Sequence, residues 1–377
     1  MLDADLHPLL RLVAIAGATA PRRALLEAHS PAAAMAAGPA VWRSFELDDA
    51  QIAALQRPDM DLLQRATHWL QQPDHHLLGW HDPDYPPLLR RVANPPLALF
   101  VAGDAARLWH PGVAVVGSRS ATPAGRDNAR SFARALSGSG WAVASGLAAG
   151  IDTAAHEATL EAGGMTVAVL GTGPDIPYPR ANAALLARIS ADGAVVSEHL
   201  PGTGPRKEHF PTRNRILAGL TLATVVIEAA ARSGALITAR LAAEAGREVF
   251  ALPGSIHNPM ARGCHRLIRD GATLVEDSGE ITVAIAAAAA ELVGDLRARL
   301  NGPTSTGHED RAAAIAASAR SDPDYQNLWN CLGHDPTGMD QLVARTRLTA
   351  AEVSSMLLLM ELDGRVASQH GRYFRIR

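Results

Sequence analysis

The chain has 377 residues, 47% hydrophobic and 19% charged, with 35 basic against 38 acidic residues and a formal net charge of -3. This balance excludes a disordered chain and a globally basic nucleic-acid coat, so an anionic partner would need a local patch, and the length suits two or three domains. Two cysteines (Cys264 and Cys331), a start carrying Asp3 and Asp5 with no basic residue, and a longest apolar run, 281–293, broken by Glu291 exclude a disulfide framework, a secretory signal and a bilayer span, and point to the reducing cytoplasm.

Residues 1–75 read as a small helical domain of helix-hairpin or SAM-like size. Its helices fall near 9–16, 22–29, 48–55 and 59–71, with breaks at Gly17, Pro31, Gly38 and Pro58. The stretch 80–103 carries Pro83, Pro86, Pro87, Pro95 and Pro96 and reads as connector plus a short strand, 97–101.

From Gly112 apolar runs at 113–116, 141–144, 166–170, 194–197, 223–227, 248–252 and 272–275 alternate with helical stretches at 123–136, 151–162, 181–191, 213–220 and 235–245. Continuous apolar runs suit strands buried on both faces, and the alternation predicts an α/β core (76–300): an extended, Rossmann-like, doubly wound parallel sheet. Residues 301–322 read as a linker. Residues 323–377 follow with helices near 338–345 and 350–361, a turn at Gly364 and strands 366–368 and 373–376 about Gly371. This is the winged-helix order.

In such a sheet ligands lie beyond the carboxyl ends of the strands. Polar and glycine residues gather there: Gly117-Ser118-Arg119 through Thr122, Ser145-Gly146 through Asp152, Gly171-Thr172-Gly173, Ser197-Glu198, Glu228 with Ser233-Gly234 and Thr238, and Pro253-Gly254. Glycines admit a ligand to the backbone, and helix N-termini offer N–H groups to phosphate. No dinucleotide fingerprint, P-loop, H-E-x-x-H, C-x-x-C or G-x-S-x-G is present, so no cofactor or metal is expected. His156-Glu157 reads as a solvated helix face.

The loop 205–215 holds Arg206, Lys207, Arg213 and Arg215 against Glu208, with Phe210 among them. Cations beside an aromatic ring suit a single nucleic-acid strand, charges for phosphates and a ring for a base. Phe210 could instead plug the loop, and the arginines could brace the next helix. Lys207 is the only lysine among the 35 basic residues. Either it is a coding accident, or the position needs a compact, mobile ammonium rather than a planar fork.

The segments VAVVGSRSAT (113–122), SGLAAGIDTAAH (145–156), VAVLGTG (167–173), Tyr178-Pro179, FPTRNRILAG (210–219), IEAAARSGALITA (227–239), VFALPG (249–254) and GCHRLIRDGA (263–272), preceded by DPDYPPLL (82–89), resemble the DNA-processing protein A family, also called Smf. The resemblance implies a non-enzymatic, homodimeric single-stranded DNA-binding protein of natural transformation that protects incoming strands and helps load the recombinase RecA. It implies strand contacts at Arg119, Lys207 and Phe210. The loops and the basic patch add Gly117, Ser118, Thr122, Gly146, Arg213 and Arg215 as candidates. Ala149 stands where the family often has arginine, and His265 where asparagine is usual.

Two other classes remain in view. One is a nucleotide-hydrolysing Rossmann-like enzyme of the phosphoribohydrolase type, with Glu198 or Glu228 as acid or base and Ser233-Gly234 holding phosphate; its Pro-Gly-Gly-x-Gly-Thr loop is missing. The other is a transcription factor acting through Arg365, Arg372, Arg375 and Arg377 at the wing.

Overall fold

The computed structural model describes residues 3–300 and, towards the C-terminus, 323–333, 337–349, 353, 356–357, 360, 366–369 and 372–375. The chain divides into two compact units, 1–297 and 298–377. No described helix is long and apolar enough to cross a membrane.

Unit one begins with helices α1 (Asp3–Ala14), α2 (Thr19–Ala28), α3 (Pro31–Ala36), α4 (Gly38–Ser44), α5 (Asp49–Gln56) and α6 (Met60–Leu70). Helices α3 and α4 lie where breaks at Pro31 and Gly38 were expected. Pro31 follows the N-cap Ser30, whose hydroxyl accepts from Ala33 N. Proline at the first helical position loses no hydrogen bond, so here it starts a helix. Asp48 and Gln51 form a capping box that fixes the start of α5.

The sheet has nine strands: β1 (His75–Gly79), β2 (Ala98–Gly103), β3 (Gly112–Val116), β4 (Ala142–Ser145), β5 (Thr166–Leu170), β6 (Ala194–Ser197), β7 (Ala223–Val226), β8 (Glu248–Ala251) and β9 (Thr273–Leu274). Their order is β1-β2-β6-β5-β4-β3-β7-β8-β9. Strands β3 to β9 pair with one another in parallel, whereas β1 pairs with β2, and β2 with β6, antiparallel. The expected doubly wound parallel core is present in β3 to β9, extended at one edge by the antiparallel pair β1–β2. The connector holds α7 (Pro87–Arg90) and one strand of an antiparallel pair whose mate, β1, was not foreseen. The crossover helices are α8 (Pro123–Gly138), α9 (Ile151–Glu161), α10 (Ala183–Asp192), α11 (His209–Leu220) and α12 (Gly234–Glu244), followed by α13 (Arg262–Arg269) and α14 (Ser278–Leu300). The apolar run 281–293 lies within α14.

Alternation along the strands builds three layers. Val113, Val115, Val143, Ala223 and Val225 pack with α8, α9 and α14 on one face. Ala114, Val116, Ala144, Val167, Val169 and Val226 pack with α11, α12 and α13 on the other. A third cluster joins Leu9, Leu25, Leu63 and Trp69 of the N-terminal helices to Phe100, Leu185, Ile189 and Val195. The chain winds outward from β3 through β4, β5 and β6, then returns to β7 on the other side of β3. The carboxyl ends of β3 and β7 therefore flank the switch point, where open α/β sheets bind ligands.

Unit two contains α15 (Pro323–Cys331), β10 (Thr337–Gly338), α16 (Met339–Thr346), β11 (Val366–Gln369) and β12 (Arg372–Arg375). Strand β12 lies between β10 and β11, antiparallel to both. Leu328, Leu332, Leu342, Val353, Leu357 and Val366 form its core. The expected linker 301–322, most of the helix at 350–361, and the turns at 364 and 371 lie outside the described residues.

Candidate nucleic-acid interface

The β3 loop turns on Ser118, whose hydroxyl accepts from Ser120 N at 3.1 Å and lies 3.4 Å from Met260 Sδ. The turn leaves Arg119 exposed. The β4 loop is fastened beside it: Ile151 N donates to Ser118 O at 3.2 Å. Gly150 has φ +87°, and a Cβ there would lie 2.3 Å from Ser118 O, so only glycine fits. Buried Asp152 closes the turn, accepting from Gly146 N at 3.1 Å and Ala148 N at 3.3 Å. Burial raises its pKa, partly opposed by Arg213.

Arg213, in the first turns of α11, is 4% exposed and donates to Val169 O. Burial lowers its pKa to about 10, with Asp152 pulling the other way. A Cβ on Gly146 would lie 2.2 Å from Arg213 Nη1. Glycine at 146 is therefore the berth of a guanidinium. Arg215 pairs with Glu198. His209 lies over Gly171 O at 3.2 Å and stacks on His199 at 3.9 Å between centroids. These contacts secure the base of the loop and leave Lys207 exposed on its outer stretch.

Half-buried Phe210 meets Arg119, whose Cζ is 5.4 Å from the ring centroid, and Tyr178, at 5.0 Å between centroids and 40° between planes. Around them opens a cavity of about 650 Å³ lined by Gly117, Ser118, Arg119, Lys207, Phe210 and Arg213, with Tyr178, Asn214, Ser233 and Thr238 among its other walls. It draws residues from beyond β3, β4, β5, β6, β7 and β8, so the polar loops do share one rim.

The other candidates lie elsewhere. Gly146 borders an adjoining cavity of about 150 Å³ with Arg119, Ala149, Tyr178 and Phe210. Thr122 caps α8, its hydroxyl accepting from Gly125 N at 3.0 Å while donating to Glu228 Oε1 at 2.7 Å. Arg215 is absent from both linings. The cation–π contact and the ring of Tyr178 were not foreseen. Tyr178 stood out only as part of a motif, and nothing local in sequence says that the β5 loop reaches Phe210.

Three further expectations are corrected or refined. His156 is fully buried and not on a solvated face; its Nδ1 lies 2.7 Å from Thr166 Oγ1. His265 keeps a loop bond, with Nε2 3.0 Å from Gly254 O. The wing's Arg375 stacks on Trp329 at 4.2 Å and is not held out towards a duplex; Arg365 and Arg377 lie outside the described residues.

The carboxylates weighed as acid or base are engaged. Glu228 accepts from Thr122 N at 2.9 Å and Asn258 Nδ2 at 3.3 Å, besides Thr122 Oγ1. Glu198 holds Arg215. Among the described residues no cluster of three His, Cys, Asp or Glu could hold a metal.

Residues 76–286 match the family model of DNA recombination-mediator protein A, and 311–372 that of the DprA winged helix domain. The chain belongs to the DNA recombination-mediator protein A family. It is 37% identical over 327 residues to protein Smf of Synechocystis, covering 81% of each chain, and 39% identical over 316 residues to Escherichia coli protein Smf, covering 84% of this chain and 81% of that one. The crystal structure of DNA processing protein A from Streptococcus pneumoniae superposes with a TM-score of 0.61 at 35% identity, over 75% of this chain and 98% of that one. DNA processing protein A from Helicobacter pylori, solved for its single-stranded DNA binding mode, superposes with a TM-score of 0.51 at 27% identity, over 56% of this chain and 95% of that one. Members of this DprA family are mediators that bind DNA and are not enzymes.

Proposed function

We propose that the chain binds single-stranded DNA at the mouth of the cavity, with phosphates on Arg119 and Lys207 and a base against Phe210. The observation that carries this reading is the Arg119–Phe210–Tyr178 cluster beside an exposed Lys207. Gly117 and Ser118 offer backbone to the strand. Arg213, Arg215, Thr122 and Gly146, first taken as contacts, serve by holding the loops that present it. The single-stranded DNA binding mode of the Helicobacter pylori relative supports the same reading. Stacking and phosphate contacts serve any base, so preference should fall on strandedness rather than sequence.

In this reading the protein works in the cytoplasm during natural transformation, as a homodimer that shields incoming strands and hands them to RecA, without cofactor or catalysis. Homology to DNA processing proteins supports the role. The dimer surface that best suits it is the open sheet edge at β9, two residues long, with Leu274 44% exposed. Unpaired edges invite pairing with another chain.

A gel shift with fluorescent single strands and blunt duplexes of equal length, with RecA added to the shifted complexes, tests the reading. Single strands should shift first, Lys207→Ala should weaken them about tenfold, and RecA should shift the complex further. Equal or tighter binding of duplex would overturn it.

A further inference from the structure

Ser233, Gly234 and Thr238 play no part in the mouth, yet they line the same cavity. They follow β7, whereas Phe210 packs against Tyr178 of the β5 loop. Three strand spacings separate β5 from β7, about 14 Å at about 4.8 Å each. On the α11 side the two walls come closer, with Asn214 Nδ2, one turn past Phe210, 3.5 Å from Gly234 O.

The β7 end has the chemistry of a second anion seat. It flanks the β3/β7 switch point. The 11-residue helix α12 begins there, with the Ser233 hydroxyl accepting from Ala235 N at 3.3 Å. The Gly234 N–H donates to no described residue, and a Cβ built on Gly234 meets nothing within 4 Å, so the helix start is uncrowded on its Cβ side. Thr238 is the independent sign of a ligand. It is 2% exposed, lines the cavity, and its hydroxyl makes no hydrogen bond to any described residue. Other threonines within helices bond back to a carbonyl one turn earlier, as Thr159 and Thr282 do. Its Oγ1 is not sealed away but opens on the cavity, a hydroxyl able to donate to whatever enters. Helix side chains tilt towards the N-terminus, so Thr238, four residues on, leans back along the face that Gly234 opens. Arg213, on the cavity wall, keeps a buried Nε without a partner.

We propose that the start of α12 is a second phosphate seat, in which the Gly234 N–H and the Thr238 hydroxyl hold the phosphate of a nucleotide lying deeper in the cavity than the one at Phe210. That this nucleotide belongs to the same strand rests on the function proposed above; the seat itself does not.

Isothermal titration with thymidine 5′-monophosphate, thymidine and hexathymidylate tests the seat. The monophosphate should bind more tightly than thymidine by about fivefold or more, the worth of one or two hydrogen bonds to an anion. Thr238→Val, which keeps the shape, and Ser233→Asp, which keeps the cap but sets a carboxylate at the seat, should each weaken the monophosphate about fivefold with an unchanged circular dichroism spectrum. Loss of affinity for hexathymidylate in the same variants assigns the seat to the strand; loss for the monophosphate alone assigns it to a free nucleotide. No preference for monophosphate over thymidine, or both variants binding it within about twofold of wild type, overturns the proposal. If Lys207→Ala leaves hexathymidylate binding intact while Thr238→Val weakens the monophosphate, the strand reading falls and the seat stands.

Discussion

Charge and stacking are separable at neighbouring residues of the mouth. Lys207 is exposed on its loop, whereas Phe210 is half-buried between Arg119 and Tyr178. Phe210→Ala should cost roughly 1–3 kcal/mol of strand affinity through lost stacking and leave the slope of affinity against salt unchanged. Lys207→Ala should flatten that slope by about one counterion, and Lys207→Arg should restore it while recovering only part of the affinity. Binding titrations from low to high salt would show this, and a Phe210→Ala slope that falls with its affinity would refute the division of roles. Beneath the mouth, His156 gives a separate signature in stability. Thr166 Oγ1 donates to Val143 O at 2.9 Å and so accepts from His156 Nδ1, leaving a bare, buried Nε2. Burial, with Arg213 as a like charge, lowers its pKa from 6.5 to about 3. Because the folded pKa lies below the unfolded one, the unfolded chain binds the extra proton. Stability is full above pH 6.5 and falls as the pH drops from there towards 3. Near pH 5 this histidine should contribute about 1.4 kcal/mol per pH unit to that fall. Urea unfolding at several pH values should show a slope smaller by about one proton in His156→Asn, and an unchanged slope would contradict the assignment.

At the scale of elements, the parallel strands and their crossover helices were legible because strands buried on both faces must be apolar throughout. The runs at 113–116, 166–170 and 223–227 leave no other reading beside helices of matching length. Strand β1, His75–Gly79, lacked such a signal: it is a sheet edge, its first two residues are histidines, and its partner across the ladder is 19 residues away past five prolines. Helices α3 and α4 were missed because proline and glycine were read as ends when they are starts. The site was legible in part for the same kind of reason. Glycine loops after strands and a basic stretch with one phenylalanine mark a rim, but not which cations face outward. Arg119 and Lys207 do, while Arg213 turns inward against Gly146 and Arg215 is spent on Glu198. Burial of a guanidinium is decided by the neighbouring loop, through a glycine 67 residues earlier in the chain, and no local pattern encodes it. The same holds for Glu228. In sequence it is a carboxylate at a strand end, hence a candidate acid, and in space it is the acceptor that fixes the N-cap of α8.

Across the whole molecule two surfaces bear on assembly. At the far edge of the sheet, Leu274→Arg would place a charge on the open β9 strand. If that edge joins two copies, light scattering should show a dimer for the wild type and a monomer for the variant, with binding of long strands weakened more than binding of hexathymidylate because two linked pockets no longer share one strand. A monomeric wild type at micromolar concentration would remove the dimer from the proposed function. At the opposite edge, residues 1–75 read in sequence as a domain of their own, and the family match begins at residue 76. Yet Leu9, Leu25, Leu63 and Trp69 share one buried cluster with Phe100, Leu185, Ile189 and Val195, and Trp69 stacks on His75 of β1 at 3.9 Å. Gly79 has no room for a Cβ beside Leu9, whose Cδ2 would lie 2.6 Å away. A fragment beginning at residue 80 would lose β1, leave β2 as an unpaired edge, and uncover the apolar face that the six helices bury. Such a fragment should aggregate or unfold at lower urea concentration than the full chain, although the mouth, the inner seat and the β9 edge all lie within it. A double substitution of uncovered residues, Phe100→Thr and Leu185→Gln, should improve its solubility. If fragment 80–300 is instead soluble and unfolds with the same midpoint as the whole chain, the shared cluster adds nothing to the sheet, and the helices are an independent domain as their sequence alone suggests.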